Sequence, residues 1–416
     1  MVNNARQALR ILLSEGSSTS AREAVTALGL KGHAIEICDP NPWCLARFSR
    51  FVRKVHRCPS LRDDPLGYLA FVRDLLARET FDVLVPIHEQ GMVFARASER
   101  LTSLVGVALP SFESYRLAHG KAGFGRLLAE LGLPHPPTVI VRSADALQAA
   151  VHCPCVIKTG IGTASRGTWI VREQGGLAQA LRELIDAQAF DDEVLVQDWV
   201  AGPVEHAQAV FCRGELVASH AYRQIAAGVG GGDAIKASVD RPAVRDDLAR
   251  IGARLRWDGA LSVDYILRQS DDVAVYIDCN PRLVEPMSAT LAGLDLAELL
   301  VQVSLGGRPE SSMAGRAGVY THLAMQALLG CALRSRSRGE LIGECWRLLA
   351  RRGPYQRSSE ELTPVGIDWH SAIPLLTTAV LLLISPRMAQ DLPKRGWGSH
   401  LLSVRSIRTI EQGFPP

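Results

Sequence analysis

Two aspartates and an asparagine stand out against apolar surroundings. Asp264 interrupts the run LSVDYIL, and Asp278 and Asn280 end the run VYIDCN. On a strand, residues two apart project to one face. Asp278 and Asn280 can therefore reach one point, and Asp264 can join them from a neighbouring strand. Two carboxylates and an amide oxygen make an all-oxygen donor set that suits Mg²⁺. Taken alone, the D-x-N pattern is a very weak metal signal, and solvent-facing edge-strand aspartates are the plainer reading. The strand Cys155-Val156-Ile157-Lys158 ends on a lysine, and the glycine-rich stretch Thr159 to Gly167 follows it. A compact ammonium and the amides of such a loop are the parts that hold phosphate oxygens. The chain has only six lysines, Lys31, Lys54, Lys121, Lys158, Lys236 and Lys394, against many arginines, so each lysine is a candidate.

The elements that position these residues follow from hydrophobic patterning. Arg10 to Ser14, His33 to Cys38, Phe81 to Pro86 and Leu104 to Leu109 read as buried strands. With helices at about 21–28 and 65–78, they predict a doubly wound α/β domain over residues 1–110 with a mostly parallel sheet. The Gly-Ser turn after the first strand is either a tight turn or a phosphate cradle. His88, just after a strand, is either a substrate contact or a structural histidine. Further on, Thr138 to Val141, Cys155 to Lys158, Thr168 to Val171 and Glu193 to Val200 read as strands, with a hairpin at 206–222 and paired strands at 260–267 and 273–278. Pro242 to Leu255 and Leu291 to Ser304 read as helices, and residues 309–416 as a helical region. Ser371 to Ser385 is the longest uncharged apolar run. It is shorter than the roughly 20 residues that span a bilayer, so a buried helix is expected there and a membrane contact is not; a surface contact with lipid is the rival.

With 416 residues and charged residues at 21%, global disorder is excluded. A net charge of +3 gives no basis for a nucleic-acid partner. Nine cysteines without a CxxC pair, together with no apolar leader, predict reduced thiols and a cytoplasmic location.

The order of parts over about residues 1–308 resembles the ATP-grasp superfamily of ATP-dependent ligases, in its carboxylate–amine ligase and carbamoyl-phosphate-synthase-like branches. Gly120-Lys121 with Leu131-Gly132-Leu133-Pro134 is similar to the segment of the family's first ATP lysine, and Val156-Ile157-Lys158 to that of the second. Thr159 to Gly167 is similar to the mobile loop over the phosphates, and Val196 to Pro203 to the hinge that holds adenine. Asp264, Asp278 and Asn280-Pro281-Arg282 are similar to its metal-binding strands. Two positions depart from the pattern: Gln197 and Asp278 stand where glutamates are usual.

The resemblance implies an α/β grasp fold: a pre-ATP-grasp domain at 1–110, an ATP-grasp domain at 111–308 with a small lobe at about 138–200 and a large lobe at about 201–308, then the helical C-terminal region at 309–416. It implies ATP with Mg²⁺ or Mn²⁺ as cofactors. Nucleotide would be held by Lys121, Lys158, Gly160, Gly162, Ser165, Gly167, Gln197, Asp198, Val200 and Glu205, and metal by Asp264, Asp278 and Asn280. Arg282, then Arg223 and Lys236, would stabilise an acyl phosphate; salt bridges are the alternative for each. The activity implied is an ADP-forming ligase joining a small carboxylate to an amine or thiol. A catalytically altered ATP-binding module and a carboxylase or phosphate-forming enzyme stay open, and so does a homodimer.

Overall fold

The apolar runs near the start form a parallel sheet of β1 (Arg10–Leu13), β2 (Ala34–Asp39), β3 (Val52–Arg57) and β4 (Val83–Val85), in the order β3-β2-β1-β4. The computed structural model describes residues 8–162, 167–311, 313–392 and 397–413. Parallel strands need long crossovers, which the helices Thr19–Leu30 and Pro65–Arg78 supply. Ser18 and Asp64 cap them, each side chain accepting a backbone N–H from the first turn. Ile11, Leu12 and Leu13 are all fully buried, as a central strand covered on both faces requires. Two details differ from expectation. β3 carries exposed Arg53, Lys54 and Arg57, which hid it among the charged segments; such charges suit an edge strand. The strand expected at 104–109 is reduced to one bridge between Gly106 and Val83.

A second, antiparallel sheet comprises β5 (Thr138–Val141), β6 (Cys155–Thr159), β7 (Thr168–Val171) and β8 (Val194–Asp198), in the order β5-β8-β6-β7. The helices Ala144–Ala150 and Gln174–Asp186 cover it, with Leu147, Ile157, Leu184 and Val196 in the shared core.

The third sheet is the largest. It holds β9 (Val204–Cys212), β10 (Glu215–Ala227), β11 (Asp233–Val239), β12 (Gly259–Leu267) and β13 (Ala274–Asn280), and also β14 (Met313–Ala314), β15 (Tyr320–His322) and β16 (Ser358–Glu360). Its order is β13-β12-β9-β10-β11-β15-β16, with β14 beside β10. The helix Pro242–Leu255 packs through Val244, Leu248 and Ile251 into a core with Phe211 and Tyr265. The helix expected at 291–304 is two, Pro286–Leu291 and Leu296–Ser304, broken at Gly293 with φ +87°.

The C-terminal region departs from an all-helical reading, because β14, β15 and β16 join the large sheet. Its helices are Ala324–Ser335, Arg338–Leu349, Ala372–Ile384 and Val404–Gln412. The apolar helix at 372–384 is not buried all round. Thr378 and Leu382 are buried, while Ile373, Leu376, Val380 and Ile384 are 44–62% exposed, because only one face packs on the two preceding helices. Among the described residues no helix is long and apolar enough to cross a membrane. The region also returns to the first sheet, where Asp368 pairs with Arg22 and His400 with Asp39.

Candidate active site

Strand register assembles the acidic centre. Asp264 on β12 lies opposite Asp278 on β13 and His206 on β9, and residues paired across a sheet share a face. Asn280 Nδ2 donates to Asp264 Oδ2 at 3.3 Å, and Arg282 donates to Asn280 Oδ1 at 3.3 Å. His206 Nδ1 lies 2.7 Å from Asp264 Oδ1. Burial works against a charged imidazole there, but the Asp264 carboxylate outweighs it and His206 is pushed up to about 9. Burial likewise opposes the Asp264 charge, and His206 with its hydrogen bond overcomes it, so that carboxyl is held below its usual range. His206 escaped the sequence reading. Its only signal is a histidine inside the apolar run VEHAQAV, and its partner is fixed by register alone.

Two lysines from different elements converge on β13. Lys121, at the start of the helix Lys121–Glu130, places Nζ 2.5 Å from Asp278 Oδ2. Lys158 on β6 donates from Nζ to the carbonyl oxygen of Ile277 at 2.8 Å. Burial, opposed by Asp278 and reinforced by Lys121, pushes the Lys158 ammonium down to about 8. The donor set of Asp264, Asp278 and Asn280 fits a hard divalent ion, since every available ligand atom is oxygen. Lys121 and His206 balance the two carboxylates in the protein itself.

A cavity of about 180 Å³ adjoins Lys121, between Phe124, Thr138, Leu195, Gln197 and Tyr276. Gln197 Nε2 donates to Thr138 Oγ1 at 3.1 Å. Asp198 pairs with His152 at 2.9 Å, and Val200 is half-buried just beyond β8. The glycine-rich loop is tied to the first lysine, with Lys121 N donating to Gly160 O at 3.0 Å. Gly160, Gly162 and Gly167 line a larger cavity. Ser165, and with it Arg166, lies outside the described residues.

Three expected contacts are not brought to this centre. Glu205 and Arg223 pair with each other and with Tyr265 in register, one residue off the row of Asp264, His206 and Tyr222. They therefore project from the opposite, helix-covered face. There Glu205 is fully buried and accepts from Arg223, Arg241 and Tyr265 at 2.7–2.9 Å, which leaves it no role at a ribose in this arrangement. Lys236 is 0% exposed and bound to Glu285 and, at 2.6 Å, to Glu361. It is a core ion pair, not a group turned toward an acyl phosphate.

Arg282 is brought in. It is buried beside a small space lined by Glu89, Tyr115, His119, Asp278 and Asn280. Burial pushes its guanidinium down, with Glu89 acting against that. Glu89 accepts from Leu402 N at 2.5 Å and lies 3.8 Å from His119. His88, a candidate from the sequence, is buried, and its neighbour Glu89 lines the cleft. The Gly-Ser turn is not a free cradle either. Gly16 N donates to Asp39, and Ser17 N and Ser18 N donate to Glu15, so internal carboxylates hold its amides.

No family model matches the chain. It is 29% identical over 277 residues to the carbamoyl phosphate synthase large chain of Rubrobacter xylanophilus, covering 60% of this chain and 25% of that one. It is 31% identical over 184 residues to the formate-dependent phosphoribosylglycinamide formyltransferase of Bordetella avium, covering 42% of each. The chain thus spans less than half the length of these two relatives. Among solved structures it is similar to the biotin carboxylase domain of Hydrogenobacter thermophilus 2-oxoglutarate carboxylase, a dimer in complex with MgADP, ADP and bicarbonate. The TM-score is 0.59 at 15% identity, covering 76% of this chain and 74% of that one. The likeness extends to the fold, an ATP-grasp fold, in which two lysines stand over a strand ending in Asp278 and Asn280, between an antiparallel four-stranded sheet and a larger one.

Proposed function

We propose that the chain is an ADP-forming ligase that activates a small carboxylate as an acyl phosphate and couples it to an amine. The observation that most supports the reading is the convergence of Lys121, Lys158, Asp264, Asp278, Asn280 and Arg282 around the end of β13. Lys121 and Lys158 hold the phosphates of ATP, and the cavity at Gln197 takes its base. A divalent ion held by Asp264, Asp278 and Asn280 would neutralise charge on the phosphoryl oxygens. A carboxylate oxygen of the acid bonds to the γ-phosphorus as the bond to ADP breaks. Arg282 stabilises the acyl phosphate so formed, worth most in a water-poor site. The amine then bonds to the acyl carbon and inorganic phosphate leaves.

The test is ADP release across a panel of acids, with hydroxylamine trapping the acyl phosphate as a hydroxamate of known mass. An acid that gives ADP and hydroxamate together supports the reading. ATP binding without hydroxamate from any acid would favour a nucleotide-binding module.

A further inference from the structure

The C-terminal region presents two surfaces. Its last segment, Leu401 to Gln412, walls the larger cavity beside the glycine-rich loop. The helices Arg338–Leu349 and Ala372–Ile384 carry the other, where large apolar side chains face outward. On the first helix, Ile342, Trp346 and Leu349 are 58–81% exposed. Steps of four and three residues set them in one row. On the second, Ile373, Leu376, Val380 and Ile384 recur at steps of three, four and four, again one row, and no residue from 372 to 384 is charged. Trp369, also exposed, stands just before it. Leu341, Leu348, Leu375 and Leu382 share one apolar cluster between the helices. Arg338, at the start of the first helix, donates to the carbonyl oxygen of Ile384, at the end of the second, at 2.7 Å. The helices are thus antiparallel neighbours, each with an apolar row that the core does not take.

The charges at the ends of these rows have one sign. Arg351 and Arg352 follow Leu349 at one end, and Arg338 and Arg387 stand at the other, near Ile384. All four are exposed, and the guanidinium groups of Arg351, Arg352 and Arg387 have no ion-pair or hydrogen-bond partner among the described residues. Glu340 and Glu344 lie roughly half a turn round the first helix from its apolar row, and Glu344 is held by Arg347 and Tyr355. A two-fold contact sets one patch against itself. Here it would bring the arginines together with no acid in either row to receive them. Protein hot spots make little of Leu and Val. Aliphatic rows with tryptophans among them and a basic fringe suit a helix lying in the plane of an anionic bilayer.

We propose that this two-helix face docks on an anionic lipid surface. The apolar rows enter the boundary between headgroups and acyl chains, with Trp346 and Trp369 at headgroup level. The arginines at both ends pair with lipid phosphates and carboxylates. The second helix has 13 residues, so it lies on the bilayer and does not span it. The proposal stands apart from the ligase reading, since none of these residues lines the reacting centre or the larger cavity.

Flotation of the full chain with extruded vesicles tests it. One set is phosphatidylcholine alone, and the other is phosphatidylcholine and phosphatidylserine in equal parts. The chain is expected to bind the mixed vesicles about tenfold or more tightly than the neutral ones, and less as salt rises. Leu376→Asp/Val380→Asp should lose about tenfold or more on mixed vesicles. Arg351→Gln/Arg352→Gln/Arg387→Gln should lose as much there and leave binding to neutral vesicles unchanged. All five side chains are exposed, so folding should survive, as circular dichroism will check. Leu376→Ser/Val380→Ser replaces the aspartate pair if that variant does not fold. No binding to mixed vesicles, equal binding to both kinds, or wild-type binding by either variant would overturn the proposal. So would a dimer in sedimentation equilibrium that Leu376→Asp/Val380→Asp dissociates, which would give the face to a second copy of the chain.

Discussion

Asp278 serves two partners at once, Lys121 through its Oδ2 and the backbone N–H of Cys279 through Oδ1. Replacing it with asparagine keeps the shape and removes the charge. ADP release should fall by about 10²–10³, the usual cost of losing one electrostatic group at a phosphoryl or acyl centre, with the fold retained by circular dichroism; a wild-type rate would remove Asp278 from the site. Lys158→Ala should weaken ATP binding by about 1.5–3 kcal/mol, the worth of a charge-assisted bond, as calorimetry can read. Because the Lys158 ammonium is pushed down to about 8, it loses its proton as pH rises through 8. ATP affinity should therefore decline above pH 8 in the wild type, and more steeply than in Lys158→Ala. Asp264, Asp278 and Lys158 were legible in the sequence because a charge inside an apolar strand is anomalous, whereas Lys121, at a helix start, was legible only through the family resemblance. His206 and Glu89 were not, since the first depends on register and the second on which residue of a short loop turns inward.

The segment between β8 and β9, expected from the sequence as a hinge, joins the antiparallel four-stranded sheet to the large sheet. Gly202 there has φ +156°, and a Cβ would lie 2.0 Å from the carbonyl oxygen of Leu267. The backbone around it is pinned to the end of β12, with Leu267 N donating to Pro203 O and Gln269 N to Ala201 O. Gly202→Ala must push those strands apart, at about 1–3 kcal/mol, and should lower both melting temperature and ATP affinity. Gly175→Ala, in a helix with open space around it, is the control and should be neutral or slightly stabilising. A Gly202→Ala protein that melts and binds like wild type would show that the hinge has slack. Elements with strong apolar runs, β1, β2, β6 and β8, were readable from sequence. β14 to β16 span two or three residues each and carry no periodicity of their own; they are strands only because a sheet edge is there to pair with.

At the scale of the whole chain, the C-terminal region is fastened to the first sheet by contacts more than three hundred residues apart, which no local pattern can announce. Arg22 and Asp368 are both fully buried and 2.8 Å apart, and Asp368 also accepts from Ser49 Oγ and Arg50 N. Asp368→Ala strands the Arg22 charge and should cost about 3–5 kcal/mol, whereas Arg22→Met/Asp368→Leu should recover most of the loss; chemical denaturation measures both. His400 is the second fastening. It is 1% exposed, 3.1 Å from Asp39 and 3.8 Å from Glu15. Burial opposes its charge, but the Asp39 hydrogen bond and both carboxylates prevail, so its pKa is raised. A base with a raised folded-state pKa contributes most below its unfolded value of about 6.5, and that contribution is lost as pH climbs through the higher folded value. The melting-temperature gap between wild type and His400→Gln should therefore be widest near pH 6 and narrow steadily toward pH 9. A gap that is flat, or that widens with pH, would mean that His400 is held neutral and that packing alone fastens the C-terminal segment over the cavity.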